Sequence, residues 1–358
     1  MKNLLAVLIL NFVLISPVKS ADSTETPALR QILNMGEDQR MKELVQLLYN
    51  RYFFSSAYDA SLSLATDSLR AYNIEDADAL AYFAESLILR RKENFNEAEK
   101  LLFKAIDLTQ KSKNTYLLTS LYTTLAFAQT GNGDALGALH SYRLARAEAE
   151  KLKDKPRLVS IDLGLADIYR TLQLYNHALF YLDEVNKVCS TNDAYDQRMR
   201  FLVCKTKGDV FFMMRNRDSV NSYYNQALKL NRESYNAERD VLRLKYYTLM
   251  LAGQYEQAIP VIKKALKPTV KYFRHIDRLN LAKSYFKTGN HELALSVIEQ
   301  VVADSAHAYA FIKIYSYTLL GDIAMSKNRF EEALRYRTLA LNESEKNIRN
   351  MAKVSDLT

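Results

Sequence analysis

Helix-type segments recur along this chain, each opening in a polar turn and continuing with apolar residues at helical spacing. A small or slim residue stands near the start of each segment, and another follows seven residues later. The first members of these pairs are Ala98, Ala138, Ala178, Val220, Ala258, Ala294 and Ala333. The second members are Ala105, Ala145, Val185, Ala227, Ala265, Val301 and Ala340. Because a seven-residue interval keeps both on one helix face, the pattern predicts amphipathic helices that pack closely through these positions.

A second type of helix is predicted ahead of each of these segments. It places a large residue beside a small one, as in Leu125-Ala126, Leu165-Ala166, Leu281-Ala282 and Leu320-Gly321, with Gly208 in the same slot of another unit. Small residues let two antiparallel helices approach, while their large neighbours fill the groove between pairs. If Ser61 in the degenerate segment 58–69 is counted as the first small residue, equivalent positions recur every 36 to 42 residues. The sequence therefore predicts eight helix pairs.

This pattern resembles the tetratricopeptide repeat, whose motif is Leu-Gly…Tyr in the first helix and Ala…Phe…Ala in the second. It is clearest in LLGDIAMSKNRFEEALRYRTLA (319–340), NLAKSYFKTGNHELAL (280–295) and LGLADIYRTLQLYNHAL (163–179). The repeats here are longer than the family's usual ~34 residues. The resemblance implies an all-α fold, a right-handed superhelical solenoid of about eight antiparallel helix pairs with the first helix of each pair on the concave side.

The N-terminal segment has the order of a secretory signal peptide. Lys2 precedes an apolar run from Leu4 to Ile15, and Val18 and Ser20 supply small residues before a cleavage site. A helix over that run spans only ~18 Å, well short of a ~30 Å hydrocarbon core, so a cleaved signal is favoured over a membrane anchor.

We therefore expect cleavage before Ala21, a periplasmic location and no transmembrane span in the mature chain. The predicted organisation is a signal peptide over 1–20, a polar segment over 21–36 and a tetratricopeptide-like solenoid over 37–348. Residues 349–358 are interpreted as a C-terminal tail or the start of a linker helix. Removal of Lys2 and Lys19 lowers the formal charge from +8 to +6.

Charge and cysteine content change this interpretation little. The 41 acidic residues are interspersed with the basic ones, which indicates solvated helix faces with some preference for anionic partners. An exported chain has little access to nucleic acid, so no nucleic-acid partner is expected. Cys189 and Cys204 are predicted to differ in axial height by ~10 Å, beyond the ~7 Å limit for a disulfide. Two buried free thiols are expected.

No arrangement of residues predicts catalysis. The glycine-rich stretch 131–137 follows a helix rather than a strand, which argues against a nucleotide loop. The five histidines lie in different helices or turns, and no thiol cluster accompanies them. Neither a Ser-His-Asp nor a Cys-His arrangement can be identified. We therefore expect no enzyme activity, no catalytic residues, no metal and no cofactor.

The resemblance also implies a binding face. In the family, positions two, five, nine, twelve and thirteen of the first helix usually contact the ligand. Transferred to this chain they include Phe127, Asp167, Arg170, Lys205, Asp209, Phe212, Arg243, Tyr247, Lys283, Phe286, Lys287, Tyr315 and Asp322. Cations mixed with aromatic residues suit an extended peptide or an acidic protein segment. The alternative is a spacer array on which these residues are merely solvated.

Three functional classes are compatible with this organisation. The first is a non-catalytic periplasmic scaffold that binds a protein or an extended peptide through its concave face. The second is the ligand-sensing extracytoplasmic part of a truncated or split membrane-bound regulator or kinase, since the chain resembles the periplasmic repeat region of certain Gram-negative sensors. The third is an enzyme, which nothing in the sequence supports. A cytoplasmic peptide-sensing regulator is disfavoured by the signal peptide and the missing DNA-binding domain.

Overall fold

The computed structural model describes residues 31–32, 35–54, 76–190, 193–230, 237–266, 274–304 and 310–355, and their regular secondary structure is entirely helical. The helices are α1 (Glu37–Phe54), α2 (Ala77–Arg91), α3 (Phe95–Ser112), α4 (Thr115–Gly131), α5 (Ala135–Leu152), α6 (Lys155–Thr171), α7 (Tyr175–Val188), α8 (Ala194–Met213), α9 (Arg217–Lys229), α10 (Ala237–Leu251), α11 (Tyr255–Leu266), α12 (Arg274–Lys287), α13 (His291–Ala303), α14 (Ala310–Ser326) and α15 (Phe330–Ser355). The predicted signal peptide over 1–20 and the degenerate segment 58–69 lie outside the described residues.

From α2 onward the helices form seven pairs, α2–α3 to α14–α15, and a three-residue turn joins the two helices of each pair. The middle residue of every such turn has a positive φ. Glycine supplies it at Gly133, Gly253 and Gly289, and other residues supply it at Glu93, Gln173, Arg215 and Asn328. The residue after it donates its backbone N–H to a carbonyl five residues back, as Asn94 does to Leu89 at 2.9 Å. This is the hydrogen bond of a Schellman C-cap, so each first helix ends in the same way.

The predicted small positions form the interior of these pairs. Every one of the fourteen small or slim residues that define the pattern is buried, with at most 8% of its surface exposed. Gly208 shows how close the helices come, because a Cβ placed there would lie 2.0 Å from Leu244 Cδ2 of α10. The prediction of an all-α array of tetratricopeptide-like helix pairs is therefore confirmed.

The chain divides into two compact units after Leu165, within α6. Unit 1 contains α1 to α5 and most of α6, whereas unit 2 contains the end of α6 and α7 to α15. A continuous core runs through unit 2, including Phe201, Leu244, Ile262 and Ile298, all fully buried. Because each repeat buries its apolar face against neighbouring repeats, packing of this kind is what stabilises the array.

Other expectations concern individual segments. Cys189 directly follows α7 and Cys204 lies inside α8; both are buried and neither forms a disulfide, as predicted. α15 is one continuous helix of 26 residues that reaches Ser355, so most of the 349–358 segment continues the last helix. Among the described residues, no helix combines the length and apolarity needed to cross a membrane.

Candidate ligand-binding face

The residues assigned to a ligand face lie on the first helices of the pairs. All of them except Phe127 belong to unit 2, and we call those twelve residues the A-face. Asp167, Asp209, Lys283 and Asp322 occupy the same register position, directly after the small residue that packs against the second helix. The repeat thus places equivalent side chains on the same side of α6, α8, α12 and α14.

A buried ion pair ties α10 to α12 at the centre of this face. Arg243 donates from Nε and Nη2 to the two carboxylate oxygens of Asp277, each at 3.0 Å, and the Tyr246 hydroxyl donates to Asp277 Oδ1 at 2.6 Å. The side chains of Arg243 and Asp277 are 2% and 0% exposed. Burial acts to lower the pKa of Arg243, but Asp277 and the tyrosines Tyr246 and Tyr247 hold that pKa well above its usual value. The Arg243 guanidinium therefore forms its ion pair within the protein.

A second ion pair lies within α8. Lys205 Nζ is 2.8 Å from Asp209 Oδ2, and the Asp209 side chain is 3% exposed. Burial alone would raise the pKa of Asp209, but Lys205, Arg243 and Arg170 together lower it to about 2. Its Oδ1 atom is buried and accepts no hydrogen bond from the described residues. Asp209 therefore remains ionised and balances the cations around it.

A third pair lies at the end of α6. Arg170 donates from Nη2 and Nε to Asp167 Oδ1, at 2.6 and 3.1 Å, and its side chain is 6% exposed. The guanidinium carbon lies 5.8 Å from the centre of the Phe311 ring on α14. Burial, and then Tyr315, raise the pKa of Tyr175 to about 12, while Arg170 opposes the rise. The end of α6 and the start of α14 thus lie near one another within unit 2.

Aromatic side chains form an apolar part of the A-face. The rings of Phe212 and Tyr247 stack with their centroids 3.7 Å apart and their planes 7° from parallel. Phe286 is half-buried, and its ring lies 5.1 Å from that of His291. Tyr315 is 41% exposed. Stacked and partly exposed rings offer a rigid surface on which an extended chain can pack.

Three cations near these rings have no acidic partner among the described residues. Lys283 and Lys287 are exposed on one face of α12, and Arg215 is exposed in the turn after α8, three residues from Phe212. Protein around the Lys283 ammonium displaces water and lowers its pKa, and the positive charges of Arg215 and Lys287 lower it further. We call Arg215, Lys283 and Lys287 the cationic cluster; it combines two lysines of the A-face with the neighbouring Arg215, and its positive charge is not neutralised by the described residues.

Two remaining members of the predicted set have other partners. Phe127 lies in unit 1, where it is 37% exposed and its ring centre is 4.1 Å from the Arg90 guanidinium. Asp322 accepts a hydrogen bond from Arg337 Nη2 on α15 at 2.5 Å. Within the described part of the chain, no group of three or more His, Cys, Asp or Glu side chains is arranged to hold a metal ion.

Sequence reasoning missed four residues that shape this site. Asp277 lies outside the register positions carried over from the family, although it stands 34 residues after Arg243, which is close to one repeat. Tyr246 occupies a slot that holds Ala or Gly in the neighbouring pairs, and this departure was a usable signal of a local interaction. Arg215 lies in the turn rather than the helix, and Phe311 precedes the first register position of α14.

Comparison with known proteins identifies solved structures that share this fold. No protein-family model matches the chain, and no curated protein matches its sequence. Among solved structures, it is similar to NprR in complex with its cognate peptide NprX, with 16% identity and a TM-score of 0.65 over 90% of this chain and 92% of that one. It is also similar to the apo form of the quorum sensor NprR from B. thuringiensis, with 16% identity and a TM-score of 0.61 over 89% and 92%.

A third neighbour is a Rap protein complexed with competence and sporulation factor, with 13% identity and a TM-score of 0.61 over 91% of this chain and 92% of that one. Identities this low establish a shared fold and leave function to be argued from the site. The chain therefore has an all-helical repeat fold of the tetratricopeptide type.

Proposed function

We propose that this protein is a non-catalytic binding protein that holds an extended peptide, or an extended segment of another protein, on the A-face of unit 2. The bound segment carries acidic side chains that pair with the cationic cluster, while its apolar side chains pack on the Phe212 and Tyr247 rings. Export to the periplasm through the predicted signal peptide is part of the same proposal.

The cationic cluster is the observation that carries this proposal. Arg170, Lys205 and Arg243 already pair with carboxylates of the protein, so they have little capacity left for a ligand. Lys283 and Lys287, in contrast, are exposed and lack an acidic partner in the described residues. A ligand carboxylate placed between them relieves their mutual repulsion and forms charge-assisted hydrogen bonds.

The neighbouring aromatic residues and the structural neighbours support an extended peptide as the ligand. Charge alone would accept any anion, whereas stacked rings beside the cations favour a segment with both acidic and apolar side chains. Two of the similar solved structures hold a bound factor, the peptide NprX in one and competence and sporulation factor in the other. The repeat architecture offers a long surface to such a ligand.

The proposal is tested with purified residues 21–358 on an array of synthetic ten-residue peptides of random sequence, followed by titration of the strongest binders. We expect selected peptides to be enriched in Asp or Glu together with aromatic or aliphatic residues. Lys283→Glu with Lys287→Glu should weaken their binding at least tenfold, the loss of about 1.4 kcal/mol. Added salt should weaken wild-type binding, because exposed charges are screened.

The matched control reverses Lys92 and Lys229 to glutamate; both lysines are exposed, Lys92 in the turn after α2 and Lys229 at the end of α9. This variant has the same net charge as the test variant and should bind as the wild type does. Equal losses of binding affinity in both variants would show that net charge alone causes the effect. An array on which no peptide binds would contradict the proposed function. Export is tested separately by N-terminal sequencing of the protein recovered from the periplasm, which should begin at Ala21.

A further inference from the structure

A row of large apolar side chains is exposed along α15. Phe330, Leu334, Leu341 and Ile348 are 61%, 69%, 58% and 60% exposed. Leu334, Leu341 and Ile348 are seven residues apart, which places them on one side of the helix, and the row from Leu334 to Ile348 extends over ~21 Å. Several such residues in a line on a second helix indicate a contact surface rather than scattered surface residues.

The equivalent positions of an interior repeat show what covers this side of the helix. Phe95 begins α3 as Phe330 begins α15, yet Phe95 is only 9% exposed. Its ring lies against Gly131 of the next first helix, so closely that a Cβ on that glycine would be 2.7 Å from ring atoms. Ile106, the counterpart of Leu341, is 6% exposed. Phe330 and Leu341 therefore occupy positions that an interior repeat buries, in the case of Phe95 under the neighbouring first helix.

We propose that a second copy of this chain covers the row, with the two α15 helices antiparallel about a two-fold axis at Leu341. In this register Leu334 faces Ile348 of the second copy, and Leu341 faces its own counterpart. A two-fold contact requires such self-complementarity, in which the same patch serves both copies. The surface is separate from the A-face, since it lies on a second helix of a pair, and the inference stands independently of the proposed ligand.

The charges of α15 favour the antiparallel orientation. Arg337, which also donates to Asp322, lies between Leu334 and Leu341 on the side of the row, and Glu345 lies between Leu341 and Ile348. An antiparallel pair about Leu341 places Arg337 opposite Glu345 of the second copy, whereas a parallel pair in register places like charges together. The helix dipoles also oppose one another in this arrangement.

Sedimentation equilibrium on purified residues 21–358 tests the inference over a range of concentrations. The wild type should show twice the monomer mass and dissociate on dilution. Leu341→Glu places two carboxylates at the axis and should raise the dimer dissociation constant at least tenfold. The matched control is Phe180→Glu, because Phe180 is 57% exposed on α7 and should leave the dimer unchanged.

A charge exchange tests the register. Arg337→Glu alone and Glu345→Arg alone should each weaken the dimer, whereas the two changes in one chain should restore it. Circular dichroism confirms that each variant keeps its helices. A monomeric wild type at all concentrations, a dimer indifferent to Leu341→Glu, or single changes that the double change does not rescue would each overturn the proposal.

Discussion

Replacing Arg243 by leucine removes the cation from the fully buried ion pair between α10 and α12. Asp277, whose side chain is 0% exposed, would lose both hydrogen bonds from the guanidinium and retain the one from Tyr246. Removing one partner of a buried pair costs about 3–5 kcal/mol, because the remaining charge is desolvated without compensation. We expect a loss of this size in the free energy of unfolding.

Urea denaturation followed by circular dichroism measures this loss, and hydrogen exchange in α10 and α12 shows whether it is local. Replacing both Arg243 and Asp277 by leucine should recover much of the stability, since neither member of the pair remains buried without its partner. The matched control is Lys264→Leu, whose partner Glu238 is 76% exposed, and surface pairs of this kind contribute about 0–1 kcal/mol. Equal effects of Arg243→Leu and Lys264→Leu would refute the reasoning.

Further predictions concern α8 and the cysteines. Gly208→Ala should lower the melting temperature, at a cost of about 1–3 kcal/mol, because its Cβ would lie 2.0 Å from Leu244 Cδ2. Because the pKa of Asp209 is lowered on folding, its ionised form stabilises the fold at pH values above the ordinary carboxyl pKa, and this stability is lost as pH falls through about 2. Asp209→Asn should therefore weaken the dependence of the free energy of unfolding on pH in this acid range. An unaltered pH dependence would contradict the prediction. Burial raises the pKa of Cys204 to about 11, and Cys189 is buried too. Thiol reagents should therefore modify both cysteines only after denaturation, and rapid labelling of the native protein would contradict this prediction.

The fold follows from the sequence because close helix packing restricts residue type. Ala98 and Ala105 are fully buried at the positions where the repeat demands small side chains, and the equivalent residues are at most 8% exposed in every described pair. The turns were harder to predict, since glycine marks only some of them. Glu93 and Gln173 adopt a positive φ, although their residue types do not favour this conformation. There the Schellman hydrogen bond and helix packing set the backbone conformation.

The candidate site follows from the sequence only in part. Register correctly places Arg243 and Lys283 on first helices, but it treats them alike, whereas the structure buries one and exposes the other. The difference comes from Asp277, which supplies a carboxylate to Arg243 from the next pair. Pairing between repeats depends on the distance and direction of two side chains on different helices, and a single sequence does not specify either.

The uniform turn geometry implies that glycine substitutions in the turns can increase the stability of the fold. A left-handed conformation costs a residue with a Cβ about 1–2 kcal/mol, and glycine avoids that cost while losing about 0.5–1 kcal/mol to chain entropy. Glu93, Gln173 and Asn328 lie outside the A-face, so glycine there could raise thermal tolerance without altering ligand recognition. Arg215 differs, because it belongs to the cationic cluster. At that turn, a more heat-tolerant variant would give up one of the charges through which we propose the protein selects its ligand.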